Sequence, residues 1–217
     1  MKKQPPQAMA QRCPMSSTYI WSRRAFCTLL LGAAASGCKT KSKWRLVDVD
    51  DMYASLDFQM LDARTGRRVS AQDYRGKLVV LFFGYTFCPE ICPTTLLTLT
   101  SVMEKRKSLQ SAASVLFVSV DPNRDTPAVL NQYVESFAPN FTALSATSNE
   151  LASLARRYRV AYTINPGSGP ENYTVDHTAT VFIFDRDGRL RLLAAYGTTD
   201  EDFGHDLQLL EQGDGLG

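Results

Sequence analysis

The stretch LVVLFFGYTFCPEICPTTL, residues 78–96, joins six consecutive apolar side chains to two cysteines four positions apart, Cys88 and Cys92, each followed by a proline. Six apolar residues without a polar interruption suit a strand buried on both faces. From Thr94 the pattern becomes helical, with Leu96, Leu99 and Met103 on one stripe and a charged end at Glu104-Lys105-Arg106-Lys107. The cysteines therefore fall where a buried strand gives way to a helix. Pro89 and Pro93 are tolerated there because the first N–H groups of a helix lack intrahelical partners. The same helix end favours thiolate over thiol. Four-residue spacing on one helical turn puts both sulfurs on one face. Two such sulfurs can hold a soft metal ion or close a disulfide.

Working outward, Phe58 to Lys77 reads as a hairpin around Thr65-Gly66. Val115 to Val120 is a second buried strand. Thr126-Pro127 opens a helix by cap and first-turn proline, with Leu130, Tyr133, Val134 and Phe137 inward. Thr147-Ser148-Asn149-Glu150 is a capping box for a helix burying Leu151, Leu154, Ala155 and Tyr158. Thr180 to Phe184 and Leu190 to Ala195 are strands joined by a turn at Asp185 to Gly188, and a last helix covers Asp200 to Leu210. This order predicts an α/β fold: a central mixed sheet flanked by helices, with an N-terminal hairpin extension. In such a sheet the site lies at the carboxyl ends of the parallel strands, where the two cysteines are.

Of 217 residues, 44% are hydrophobic and 21% charged, which suits one well-buried domain plus an extension. The net charge of +2 is unevenly placed. Residues 1–37 carry five basic and no acidic side chains, leaving 19 basic and 22 acidic residues in the remainder. That is no nucleic-acid footprint. Within the basic leader, Ser22-Arg23-Arg24-Ala25-Phe26 resembles a twin-arginine export motif, and a short apolar run follows. The run is too short to span a bilayer comfortably. Ala35-Ser36-Gly37-Cys38 resembles a lipobox, with Ala35 where leucine is usual, and makes Cys38 a candidate lipid anchor. The domains expected are a leader over 1–38, a polar tether over 39–54 and a folded domain over 55–212.

Of five cysteines, Cys13 and Cys27 lie in the leader and Cys38 at the anchor, so only Cys88 and Cys92 remain in the folded part. One closely spaced pair constrains little chain, so it serves local chemistry rather than stapling. The chain has two histidines. His177 directly precedes strand 180–184. If that strand runs antiparallel to the first, it begins where its parallel neighbours finish, and His177 arrives beside the sulfurs. His205, on the last helix between Gly204 and Asp206, reads as a solvated surface residue. Asp121 and Asp125 read as turn caps and Met103 as core.

GYTFCPEICPTTL, DPNRDTP (121–127), FAPNFTALSA (137–146) and YTVDHTATVFIFDRDG (173–188) together resemble the Sco/SenC family of copper-binding, thioredoxin-like proteins, in the right order over residues 55–212. The resemblance implies a thioredoxin-like fold and attachment to a membrane, with the domain exported to the periplasm or cell exterior. It also implies a copper site used in assembling the dinuclear copper centre of cytochrome c oxidase. Carried over, the metal ligands are Cys88, Cys92 and His177. Glu90 stands where the family often has aspartate and Phe87 where histidine is common; neither is a ligand position.

The chemistry agrees with that ligand set. Two thiolates and an imidazole suit Cu(I), and an added water accommodates Cu(II), whereas structural zinc normally takes four protein ligands. The leading expectation, which the resemblance implies, is a metallochaperone rather than an enzyme, whose partners are a copper donor protein and the copper-receiving oxidase subunit. An alternative is a membrane-tethered thiol–disulfide reductase using Cys88 and Cys92 as a redox pair. A third is a peroxide-reducing thiol enzyme.

Overall fold

Leu78 to Gly84 are all buried and form one extended strand. In the computed structural model, which describes residues 44–49, 52–169 and 172–213, this strand is the fourth in chain order. Before it come β1 (Val47–Asp48), β2 (Gln59–Asp62), β3 (Arg68–Ser70) and a 3-10 turn at Ala71–Tyr74. It is β4 (Leu78–Gly84), followed by α1 (Ile91–Lys105), α2 (Lys107–Ala112), β5 (Ala113–Ser119), α3 (Pro127–Glu135), β6 (Thr142–Ser145) and α4 (Ser148–Tyr158). The chain continues through β7 (Tyr162–Gly169), β8 (Asn172–His177), β9 (Val181–Phe184), β10 (Leu190–Ala194) and α5 (Asp200–Glu211).

The burial of β4 follows from its place. Successive side chains of a strand point to opposite faces, and here both faces are covered. Leu78, Val80 and Phe82 share one core layer with Leu96 and Leu99 of α1, Leu130 of α3 and Phe203 of α5. Val79, Leu81 and Phe83 share the other with Leu151, Leu154 and Tyr158 of α4. Each such leucine contributes about 1.5–3 kcal/mol by leaving water.

The sheet is mixed, as expected, in the order β1-β10-β9-β4-β5-β6-β2-β3. Strands β4, β5 and β6 are parallel, and β9 runs antiparallel to β4, with Val181 opposite Phe82. The N-terminal hairpin β2–β3 extends the far edge by pairing β2 with β6. The helix starts are chemically signed. Thr126 accepts from the Val129 N–H at 3.4 Å, with Pro127 in the first turn of α3. Thr147 and Glu150 form the reciprocal capping box of α4, a cap worth about 1 kcal/mol.

Three features depart from the pattern read in the sequence. Strand β6 lies between α3 and α4, where no strand was expected. The hairpin β7–β8 forms a separate two-stranded sheet, its strands bonded to each other. Residues 44–49 of the polar segment read as a tether are docked on the domain: Leu46 and Val49 are buried, and β1 pairs with β10. The buried Asp206 carboxylate holds this segment by accepting the N–H groups of Arg45 (2.9 Å) and Leu46 (2.8 Å). Three apolar side chains, Trp44, Leu46 and Val49, supply the reason in a stretch otherwise polar. The leader, Cys38 and residues 39–43 lie outside the described residues. Among those described, no helix is long and apolar enough to cross a membrane.

Candidate metal centre

At the carboxyl end of β4 the chain turns through Tyr85, Thr86 and Phe87 into Cys88. Gly84 is the first requirement. A Cβ there would lie 2.8 Å from Cys92 Sγ and 2.6 Å from the Phe117 ring, closer than side-chain carbons approach their neighbours, so only glycine lets the sulfur sit against the strand end. Asp125, 1% exposed, then fixes the loop. Its carboxylate accepts from the Thr86 hydroxyl (2.6 Å), the Thr86 N–H (3.2 Å) and the Ser119 hydroxyl (2.6 Å). Burial raises the Asp125 pKa although these donors oppose it.

The two cysteines do not share one helical turn as their spacing suggested. Helix α1 begins at Ile91, so Cys92 stands in its first turn while Cys88 lies in the turn before it. The backbone brings them together nonetheless: the Cys92 N–H donates to Cys88 Sγ at 3.4 Å. Both thiols are free; Cys88 is half-buried and Cys92 fully buried. Their acidities diverge. A hydrogen bond from Cys92 is the largest influence lowering the Cys88 pKa, to about 4, with His177 and backbone N–H groups adding to it and burial opposing. The same bond, then burial and the Cys88 charge, push the Cys92 thiol far up. One proton is thus held between two sulfurs, on the buried one, and the pair titrates as a unit.

His177 closes the group from the end of β8. Its Nε2 stands 3.4 Å from Cys92 Sγ. Its Nδ1 lies 3.1 Å from the Thr178 carbonyl oxygen, which can only accept, so Nδ1 keeps its proton and Nε2 is the ring atom turned to the sulfurs. Tyr85 and Phe82 meet the imidazole edge-on at 5.9 and 6.2 Å. The ligand atoms of Cys88, Cys92 and His177 all lie within 4.8 Å of one another. Among the described residues no further histidine, cysteine or carboxylate joins them. The donor set is two soft sulfurs and one oriented imidazole, which fits copper and falls short of the four ligands of a structural zinc site.

His205 is not part of the group and is not simply solvated: its Nδ1 lies 2.7 Å from the buried Asp206 carboxylate. Met103 is core, 3% exposed. Asp121 and Asp125, read as turn caps, do more than that. Asp125 ties the cysteine loop to β5, and Asp121 pairs with Arg124 and Tyr173. The partners that tie this loop to the rest of the site, Thr86 for Asp125 and Tyr173 for Asp121, are remote in sequence, so no local pattern signals them.

Comparison with known proteins places these observations. The SCO1/SenC family model matches residues 50–210. The bovine mitochondrial SCO2 homolog is 38% identical over 134 residues, 61% of this chain and 50% of that protein, so the chain spans half the length of this relative. Bradyrhizobium japonicum ScoI, solved with copper bound, superposes with a TM-score of 0.65 at 37% identity, covering 71% of this chain and 97% of that one. The apo Sco1 protein of Thermus thermophilus gives 0.67 at 36% identity over 80% and 99% of the two chains. Both carry the thioredoxin-like arrangement of Sco proteins that the sheet order and flanking helices show here. With most of its length matched and its fold shared, the chain belongs to the SCO1/SenC family.

Proposed function

We propose that this protein is a copper chaperone that holds copper through Cys88, Cys92 and His177 and delivers it to the dinuclear copper centre during cytochrome c oxidase assembly. The observation carrying this reading is the convergence of two sulfurs and Nε2 within 4.8 Å. The copper-bound Bradyrhizobium relative supports it. Cys88 arrives as thiolate and Cys92 gives up the shared proton as copper enters, so loading releases a proton and acid returns the cargo. The thiolates retain Cu(I); the imidazole, its tautomer set by Thr178, is the ligand that makes Cu(II) acceptable.

The partners on this reading are a copper donor protein and the copper-receiving oxidase subunit. Residues 1–38 serve as an export leader, Cys38 as the lipid anchor, and the domain faces the periplasm or cell exterior from its membrane. The tether is the polar segment from residue 39, shortened by the docking of residues 44–49.

Anaerobic Cu(I) titration with X-ray absorption tests the reading. One copper per chain with two sulfurs and one nitrogen is expected; a sulfur-only shell, or no stoichiometric copper, overturns it. The divergent thiol acidities favour a second role, reduction of the cysteines on the receiving subunit. Cys88 thiolate attacks a target disulfide, displacing one target thiolate and forming a mixed disulfide. Cys92, after losing its proton, attacks Cys88 Sγ and displaces the second, leaving this chain oxidised by two electrons as a Cys88–Cys92 disulfide. Reduction that survives His177→Ala while Cu(II) binding fails assigns both roles to the same pair.

A further inference from the structure

His177 stands on an element that the large sheet does not hold. Strands β7 and β8 pair with each other, Tyr162 opposite His177 and Ile164 opposite Val175. Side chains two apart share a face of a strand, so Tyr173, Val175 and His177 all point inward from β8, with Asn172, Thr174 and Asp176 exposed. This face is gripped by Val175, buried in the second core layer, and by a cluster in the loop after β5.

Asp121, 1% exposed, accepts from Arg124 Nε at 2.6 Å and from the Tyr173 hydroxyl at 2.6 Å. Arg124 Nη1 donates to the Tyr173 carbonyl at 2.9 Å, and its guanidinium lies over the Tyr173 ring, 3.5 Å from the centroid. The three groups are mutually bonded and their charges are withdrawn from water, where cation–π contacts and charge-assisted hydrogen bonds are strongest. The same guanidinium also stands 4.7 Å from the centroid of Phe87, the neighbour of Cys88, and 5.8 Å from that of Tyr85, whose edge meets His177. One cation thus touches the cysteine loop and the histidine hairpin.

We infer that Arg124 and Tyr173 are positioning residues for His177, clamping β8 against the cysteine loop so that the site's hold on Cu(II) depends on them and its hold on Cu(I) does not. The inference rests on the Cys-Cys-His reading above and adds to it the residues that make the third ligand available. An imidazole on a clamped strand is presented at high effective concentration; on a released hairpin it must be ordered each time it binds. Cu(I) is content with the two thiolates, and Cu(II) needs the harder nitrogen.

The test compares wild type, His177→Ala, Tyr173→Leu, Tyr173→Phe and Arg124→Lys, with copper alone as probe. Tyr173→Leu weakens Cu(II) binding by about 10- to 100-fold, the usual effect of losing a ligand's supporting partner. Its Cu(I) affinity stays within about threefold of wild type, since both thiolates remain. The differential raises the copper reduction potential by about 59 mV per tenfold, as for any one-electron couple. Tyr173→Phe, which keeps the stack and loses only the hydroxyl bond to Asp121, falls between wild type and Tyr173→Leu. Arg124→Lys, which keeps the charge but loses the planar fork, follows Tyr173→Leu. In the metal-free protein, amide exchange of β8 accelerates in Tyr173→Leu while β4 and β5 retain wild-type protection. Wild-type Cu(II) affinity in both Tyr173→Leu and Arg124→Lys overturns the inference. So does an equal loss of Cu(I) and Cu(II), or accelerated exchange throughout β4 and β5, either of which marks a general structural role. If His177→Ala itself leaves Cu(II) binding unchanged, the fault lies with the Cys-Cys-His reading, and the clamp falls with it.

Discussion

The cysteines and the histidine reach the same point from two unlike parts of the molecule. Cys88 and Cys92 are continuous with β4 and α1 and sit where the two core layers meet; Cys88 packs against both. His177 ends a hairpin whose strands bond each other outside the eight-stranded sheet. The sulfurs are therefore as fixed as the core, because moving them means moving strand, glycine contact and helix end together. The imidazole is only as fixed as the contacts of one face of β8. On the proposed copper reading, a site assembled this way has two ligands set by folding and one set by docking.

Substitutions should divide along that line. Cys88→Ser or Cys92→Ser takes away one of the two soft ligands and should abolish stoichiometric binding of both copper oxidation states, read by competition with a chromogenic chelator; retained Cu(I) binding would break the division at once. His177→Ala should spare Cu(I) but weaken Cu(II) by more than about 100-fold, beyond the range for a lost outer partner, and remove the thiolate-to-Cu(II) charge-transfer band. An unchanged band would make the histidine merely structural.

Gly84→Ala probes the core side. Its new Cβ meets Cys92 Sγ and the Phe117 ring, neither of which has room to retreat, so overpacking should cost about 1–3 kcal/mol in urea unfolding. A neutral result would show the strand end to be softer than the packing implies. The thiols test the electrostatics. Because the Cys88 pKa is lowered to about 4, its thiolate persists as the pH falls. Alkylation by iodoacetamide should stay nearly level from pH 8 to pH 6 and drop only as pH approaches 4, whereas an ordinary thiol with pKa about 8.5 loses reactivity throughout that interval. A midpoint near the ordinary value would refute the shared proton. Smallest of all, Ile164→Ser on the exposed side of β7 should change global stability by no more than about 0.5 kcal/mol, since the hairpin adds no strand to the large sheet.

The parts of this fold that could be read from sequence are those whose causes are local. Six apolar residues announce β4, Thr147 to Glu150 announces the start of α4, and Asp185 to Gly188 marks the β9–β10 turn, with Gly188 at φ +73°. Strand β6 escaped because it is four residues long and only Ala143 and Leu144 are buried, too little for a period to emerge. The β7–β8 hairpin escaped for the opposite reason. Its sequence, with Pro166, Gly167 and Gly169, argues against strand, and it forms through cross-strand pairing and the grip on Tyr173. The cysteine pair was visible as a pair, and the topology brought His177 to it as antiparallel pairing of β9 with β4 required. What held the site together was not visible, because Thr86 finds Asp125 and Asp121 finds Tyr173 across 39 and 52 positions. Such contacts are products of the fold, and no short window contains them.

The depth difference between the sulfurs also governs how the protein survives accidental damage. Cys92 has no exposed surface, and Cys88 is only half-covered. A stray peroxide therefore meets the Cys88 thiolate first, oxidising it to a sulfenic acid and leaving as water or alcohol. Directly beneath lies a thiol whose sulfur, once deprotonated, can displace water from that sulfenic acid and close a disulfide. The injury ends in a bond that any dithiol can reopen, not in the irreversible acids further up the ladder. Burying one cysteine under the other turns a vulnerable thiolate into a repairable one.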